Sequence, residues 1–85
     1  MPDHGDSKGR IRAKIAELAK ELRRNASRLQ DNDLIPQSGV LDSAAMMSLV
    51  VWFEEEFGVS TEAEELTLDN FGSIDLIVDY LKRHG

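Results

Sequence analysis

The chain has no cysteine, so it can form no disulfide, thiolate metal site or cysteine nucleophile. Cytoplasmic residence is the simplest reading of that absence. Aromatic residues make up 6% of the sequence and there are two prolines. No stretch approaches the roughly 20 apolar residues of a membrane span, so no membrane insertion is expected. The start, Met1-Pro2-Asp3-His4-Gly5-Asp6, lacks the basic and apolar blocks of a signal peptide. The two histidines, His4 and His84, stand at opposite ends. No histidine pair has metal spacing, and there is no Gly-rich phosphate loop or Gly-x-Ser-x-Gly elbow. Neither a catalytic residue nor a metal ligand is expected.

What remains is an 85-residue chain with 41% hydrophobic residues, enough for one folded domain with a modest core. Its net charge of -6 is unevenly placed. Residues 1–30 hold eight Lys/Arg against four Asp/Glu, and residues 31–85 hold two against twelve. The acidic body would repel nucleic acid phosphates. It suits either a basic partner surface or simple solubility.

Residues 1–7 are polar and are expected to be a disordered tail, with residues 8–85 as the single domain. Ile11, Ile15, Leu18 and Leu22 recur at helical spacing, which predicts a helix from Lys8 to about Arg24 with Ser7 as cap. Its basic residues either dock an acidic ligand or are simply solvated. Residues 25–42 show no period and are rich in Asn, Asp, Pro and Gly, so a long loop is expected. Leu34, Ile35, Val40 and Leu41 can pin that loop to a core. Asp31-Asn32-Asp33 is not a calcium loop, because Pro36 stands where the turn glycine belongs.

A second helix is predicted from Ser43 to Phe57, with Asp42 as N-cap and Gly58 as the stop. At about 100° per residue, Met46, Leu49, Val50, Phe53 and Phe57 share the core face. Ala44, Met47 and Val51 fall beside Ser43, off the core centre, with Ser48, Glu54 and Glu55 on the same outer side. Trp52 lies on a flank. Thr61-Glu62-Ala63-Glu64 has the form of a capping box, and Thr67 to Phe71 that of a single turn. Ser73 then caps a last helix carrying Ile74, Ile77, Val78 and Leu81. The expected fold is all-α: a small four-helix bundle of three main helices and one short one, with the long loop between the first two.

Ser43 has two readings on these residues. It is a helix cap, or it is an outward hydroxyl awaiting modification, with Asp42 doing the capping and Gly39 shaping the turn. A helix N-terminus stabilises a phosphate ester. A serine acting alone as nucleophile lacks a placed base.

Gly39-Val40-Leu41-Asp42-Ser43, the apolar helix after it, Glu54-Glu55-Glu56-Phe57-Gly58 and Asn70-Phe71-Gly72-Ser73 together resemble the acyl and peptidyl carrier protein family. The resemblance covers roughly residues 8–83. It implies that Ser43 receives a 4′-phosphopantetheine arm from coenzyme A, added by a phosphopantetheinyl transferase. The arm would hold acyl or aminoacyl cargo as a thioester, so the chain would be a tether and not an enzyme. An acyl- or aminoacyl-activating (adenylating) ligase and downstream acyl-transferring or tailoring enzymes are the further implied partners. Ala44, Met47, Val51, Glu54 and Glu55 are the implied contacts, on a monomer. Leu41 before the Asp-Ser pair and Ser48 midway along the helix are more like free-standing peptidyl, aminoacyl or D-alanyl carriers. The short flanks also suggest a free-standing chain. The rival reading is a helical adaptor that binds proteins through Met47, Val51 and Trp52 without a prosthetic group.

Overall fold

The computed structural model describes residues 6–84. Its elements in order are α1 (Ser7–Glu21), α2 (Ile35–Ser38), α3 (Ser43–Phe57), a 3-10 turn (Ala63–Glu65), α4 (Leu68–Phe71) and α5 (Ile74–His84). The described residues contain no strand. The bundle is therefore the expected one, three long helices, with two four-residue helices where one short helix was expected.

Helix α3 is the apolar centre. It begins and ends where the sequence places it, because Asp42 caps one end and Gly58, at φ 66°, takes the left-handed conformation at the other. Val59 N–H donates back to the Glu54 carbonyl at 3.2 Å, and the Val59 side chain folds onto the core. Ala45, Leu49, Val50, Phe53 and Phe57 are buried, and Met46 packs partly against them. Phe53 is surrounded by the rings of Phe57, Phe71 and Tyr80, at 5.3, 5.5 and 6.0 Å between centroids. These edge and tilted geometries suit aromatic quadrupoles.

Helix α1 differs from expectation at both ends. Asp6 occupies the N-cap position and Ser7 opens the helix as a buried residue, so the polar start reaches no further than Asp6. The rest of the expected tail, residues 1–5, lies outside the described residues. The helix stops at Glu21, short of Arg24, because Arg23 turns left-handed at φ 59°. That turn lets Arg24 N–H reach the Ala19 carbonyl at 2.8 Å.

Charge holds the long loop. Arg12 donates to the Leu29 carbonyl at 2.8 Å and pairs with Asp31. Lys8 bridges Asp31 and Asp75 at 3.2 and 3.1 Å, and Asp75 N–H donates to the Asp31 carbonyl. Arg12 first, then Lys8, holds the Asp31 carboxyl below its ordinary value. The loop thus engages both terminal helices. Within it, α2 forms around Pro36 in its first turn, a position that tolerates the missing N–H.

The capping box is one residue later than predicted. Glu62 and Glu65 cap reciprocally, not Thr61 and Glu64. Thr67 does sit at the N-cap position of α4, with no side-chain bond. Ser73 caps α5 as expected, its Oγ accepting from Leu76 N–H at 3.2 Å.

Candidate functional site

Ser43 is the first residue of α3 and is exposed. Asp42 Oδ1 accepts from Ala45 N–H at 2.8 Å, and the Asp42 carbonyl accepts from Met46 N–H at 2.9 Å. No hydrogen bond to the Ser43 hydroxyl occurs among the described residues. The cap is thus the aspartate, and the serine hydroxyl is left to solvent at the positive end of a helix.

The turn before it is built from three devices. Gly39 ends α2 at φ 80°, in the left-handed region that favours glycine. Ser38 Oγ donates to the Ile35 carbonyl at 2.6 Å and accepts from Val40 N–H at 3.2 Å. Val40 and Leu41 are then buried, so the chain enters α3 from a fixed place. Arg24 reaches across from the end of α1 to donate to the Gly39 carbonyl at 3.0 Å.

A groove of about 290 Å³ opens beside the serine. Ser43, Met47 and Leu68 stand on its lips, and Met46, Val50 and Phe71 contribute to its wall. Gly72 closes α4 tightly: a Cβ there would meet the carbonyl oxygen of Leu68, in α4 itself, at 2.3 Å. The Gly72 carbonyl in turn accepts from Ile35 N–H at 2.7 Å, tying α2 to the turn between α4 and α5.

Of the expected contact residues, Ala44, Met47, Val51 and Glu55 are exposed on one side of α3. Glu54 is half-buried and already engaged. Its Oε2 accepts from Thr61 N–H at 2.8 Å and from Thr61 Oγ1 at 2.9 Å. Those two bonds, the backbone one foremost, hold its carboxyl below the ordinary value. Trp52 is half-buried, its ring edge-on to Phe57 at 5.7 Å. The basic side of α1 borders a separate hollow lined by Arg12, Lys20 and Arg24 over Ile15, Ala16 and Leu29.

Sequence reasoning missed Leu68 and Pro36 as neighbours of the serine. A one-turn helix gives no period from which to tell an exposed leucine from a buried one.

A family model described as a phosphopantetheine attachment site matches residues 10–81. The chain belongs to that family of carrier domains. The match spans the bundle from α1 to α5. Carriers of this family bear a covalently attached 4′-phosphopantetheine, are not catalytic, and work with phosphopantetheinyl transferases and other enzymes. No curated protein matches the carrier significantly. Among the described residues, no helix is long and apolar enough to cross a membrane.

The site fits such a group. A phosphoester needs an accessible hydroxyl and nearby hydrogen-bond donors, and the first turn of α3 offers both. The groove adds an apolar flank on which an uncharged chain can lie.

Proposed function

We propose that Ser43 carries the 4′-phosphopantetheine arm, and that residues 8–85 act as one domain that tethers acyl or aminoacyl groups and presents them to partner enzymes. The observation that carries this reading is the division of labour at the start of α3: Asp42 caps, and Ser43 is left exposed with a free hydroxyl. When bound, the arm supplies a terminal thiol that holds cargo as a thioester.

The residues of the carrier then have distinct tasks. Ser43 Oγ becomes the ester oxygen, and the base that takes its proton comes from the transferase, since among the described residues no side chain hydrogen-bonds the Ser43 hydroxyl. Asp42, Gly39, Val40 and Leu41 hold the hydroxyl at the helix start. Ala44, Met47, Val51 and Glu55 form the face that partners meet. Glu54 serves from within, gripping Thr61.

The partners are a phosphopantetheinyl transferase, an adenylating acyl or aminoacyl ligase, and downstream acyl-transferring or tailoring enzymes. Leu41 before the Asp-Ser pair and Ser48 on α3 favour a peptidyl, aminoacyl or D-alanyl type, working as a cytoplasmic monomer. Tethering raises the local concentration of cargo at each active site.

Incubation with coenzyme A and a broad-specificity transferase should add the mass of one phosphopantetheine to the wild type and none to Ser43→Ala. An unchanged wild-type mass, where a control carrier is modified, would favour the adaptor reading in its place.

A further inference from the structure

The hollow on the basic side of α1 has no part in tethering. It measures about 450 Å³, larger than the groove beside Ser43 and within the range of small-molecule sites. Ile15, Ala26 and Leu29, all buried, make its floor, and Ala16 is an exposed wall. Arg12 stands at one end, where it holds the Leu29 carbonyl. Lys20, Arg24 and Asn25 stand at the other. Eight residues of helix separate Arg12 from Lys20, about 12 Å.

The lining is rich in donors and poor in acceptors. Three of the chain's ten Lys/Arg are in it and none of its sixteen Asp/Glu. The two ends differ. Arg12 is neutralised by Asp31. Lys20 is exposed and pairs with no acid among the described residues, and Arg24 donates to a carbonyl, that of Gly39. Asn25 Oδ1 accepts from Ser27 N–H at 2.8 Å, which leaves its amide N–H groups for another acceptor. The neighbouring acids of α1, Glu17 and Glu21, lie outside the lining, and Glu17 accepts from Lys14.

We infer that this hollow binds a small carboxylic acid with an unbranched apolar tail. The carboxylate sits among Lys20, Arg24 and Asn25, and the tail runs along α1 over Ala16 toward the neutralised Arg12. An eight-carbon acid, about 9 Å extended, fits that span. A plain anion gains nothing from the floor and an uncharged tail gains nothing from the cations, so the two features together define the class. Arg24 also holds the turn before Ser43, so a bound carboxylate competes with the Gly39 carbonyl for its guanidinium. The inference stands whatever Ser43 carries.

The experiment titrates octanoate into isotope-labelled, unmodified protein and follows the amide shifts. The amides of Ala16, Lys20, Ser27 and Val40 should move together and saturate, with a Kd of about 1–10 mM, as ten non-hydrogen atoms reach at ordinary ligand efficiency. Val40 is included because its N–H belongs to the peptide unit whose carbonyl Arg24 holds. Acetate, which lacks the tail, and octanamide, which lacks the charge, should each bind about threefold or more weakly. Lys20→Gln combined with Arg24→Gln should weaken octanoate about threefold or more, and Lys20→Arg should retain it. Ala16→Glu should weaken it too, since the new carboxylate pairs with Lys20 one turn on. That position is exposed and glutamate is a good helix former, so the variant folds. Equal binding of acetate makes the hollow a plain anion patch and overturns the inference. Equal binding of octanamide makes it a plain apolar surface, with the same result. Shifts at Met47 and Leu68 with none at Ala16 place the tail in the serine groove and also overturn it, as does the absence of any saturating shift. None of these outcomes bears on Ser43, which the added phosphopantetheine mass decides.

Discussion

Asp42 Oδ1 accepts the amide hydrogen of Ala45 at 2.8 Å, so the residue before Ser43 is the cap of α3. The stability cost of substitution should follow that bond. Asp42→Ala should lower unfolding stability by about 1 kcal/mol, the worth of an N-cap. Ser43→Ala should change it by less than about 0.5 kcal/mol, as at an ordinary surface position. Urea denaturation of the two variants distinguishes them, and the reverse order would make the serine the cap.

Glu54 and Thr61 should be visible in the acid dependence of stability. The Thr61 bonds lower the Glu54 carboxyl from its ordinary value of 4.5. Their stabilisation is complete above that value and is lost as pH falls through the lowered one. Glu54→Gln should therefore be less stable than wild type near neutrality, and the gap should close in acid. A gap that stays constant with pH, followed by thermal unfolding, would show that the carboxylate charge plays no part.

Gly39 and Gly72 should respond differently to the same substitution. At Gly39 a Cβ meets nothing within 4 Å, so Gly39→Ala carries only the strain of φ 80°, about 1 kcal/mol. At Gly72 a Cβ would meet the Leu68 carbonyl at 2.3 Å and Leu34 Cδ2 at 3.0 Å. Gly72→Ala should cost more, about 1–3 kcal/mol, because the backbone carbonyl must shift. Denaturant midpoints give the order.

Tyr80 is the one tyrosine, so tyrosinate absorbance reports on it alone. Burial first, then its hydrogen bond to Glu65 at 3.0 Å, pushes its hydroxyl up to about 12 from the ordinary 10.0. Between those values the folded chain keeps a proton that the unfolded chain has lost. Stability should therefore fall as pH rises through that window. Tyr80→Phe should flatten the slope, and a wild-type tyrosine titrating near 10 while folded would contradict it.

The legible parts of the fold are those written in neighbouring residues. Asp42 and Gly58 give both ends of α3, and helical spacing separates Phe53 from Val51. Other features depend on residues brought together from a distance. Thr61 and Glu62 each have a glutamate three positions on, so either can cap. Glu54 decides between them by taking the Thr61 hydroxyl, across a glycine turn that no local pattern spans. Helix α2 lies within the stretch that the sequence marks as loop, because four residues with a proline show no period. Arg23 ends α1 in a conformation that favours glycine, and nothing in its type announces that. At the candidate site, the exposed flank of α3 was legible, whereas Leu68 depends on where α4 comes to rest.

The ion pairs of Asp31 with Arg12 and Lys8, and the bond of Ile35 to Gly72, bracket the loop before Ser43 from α1 and from the junction of α4 and α5. A fragment spanning 36–58 contains the turn, the serine and the whole of α3, yet none of these brackets. The groove cannot exist in it, since one lip is Leu68. The geometry at Ser43 is thus a property of the closed chain, and an enzyme that reads it is also reading whether the chain has folded.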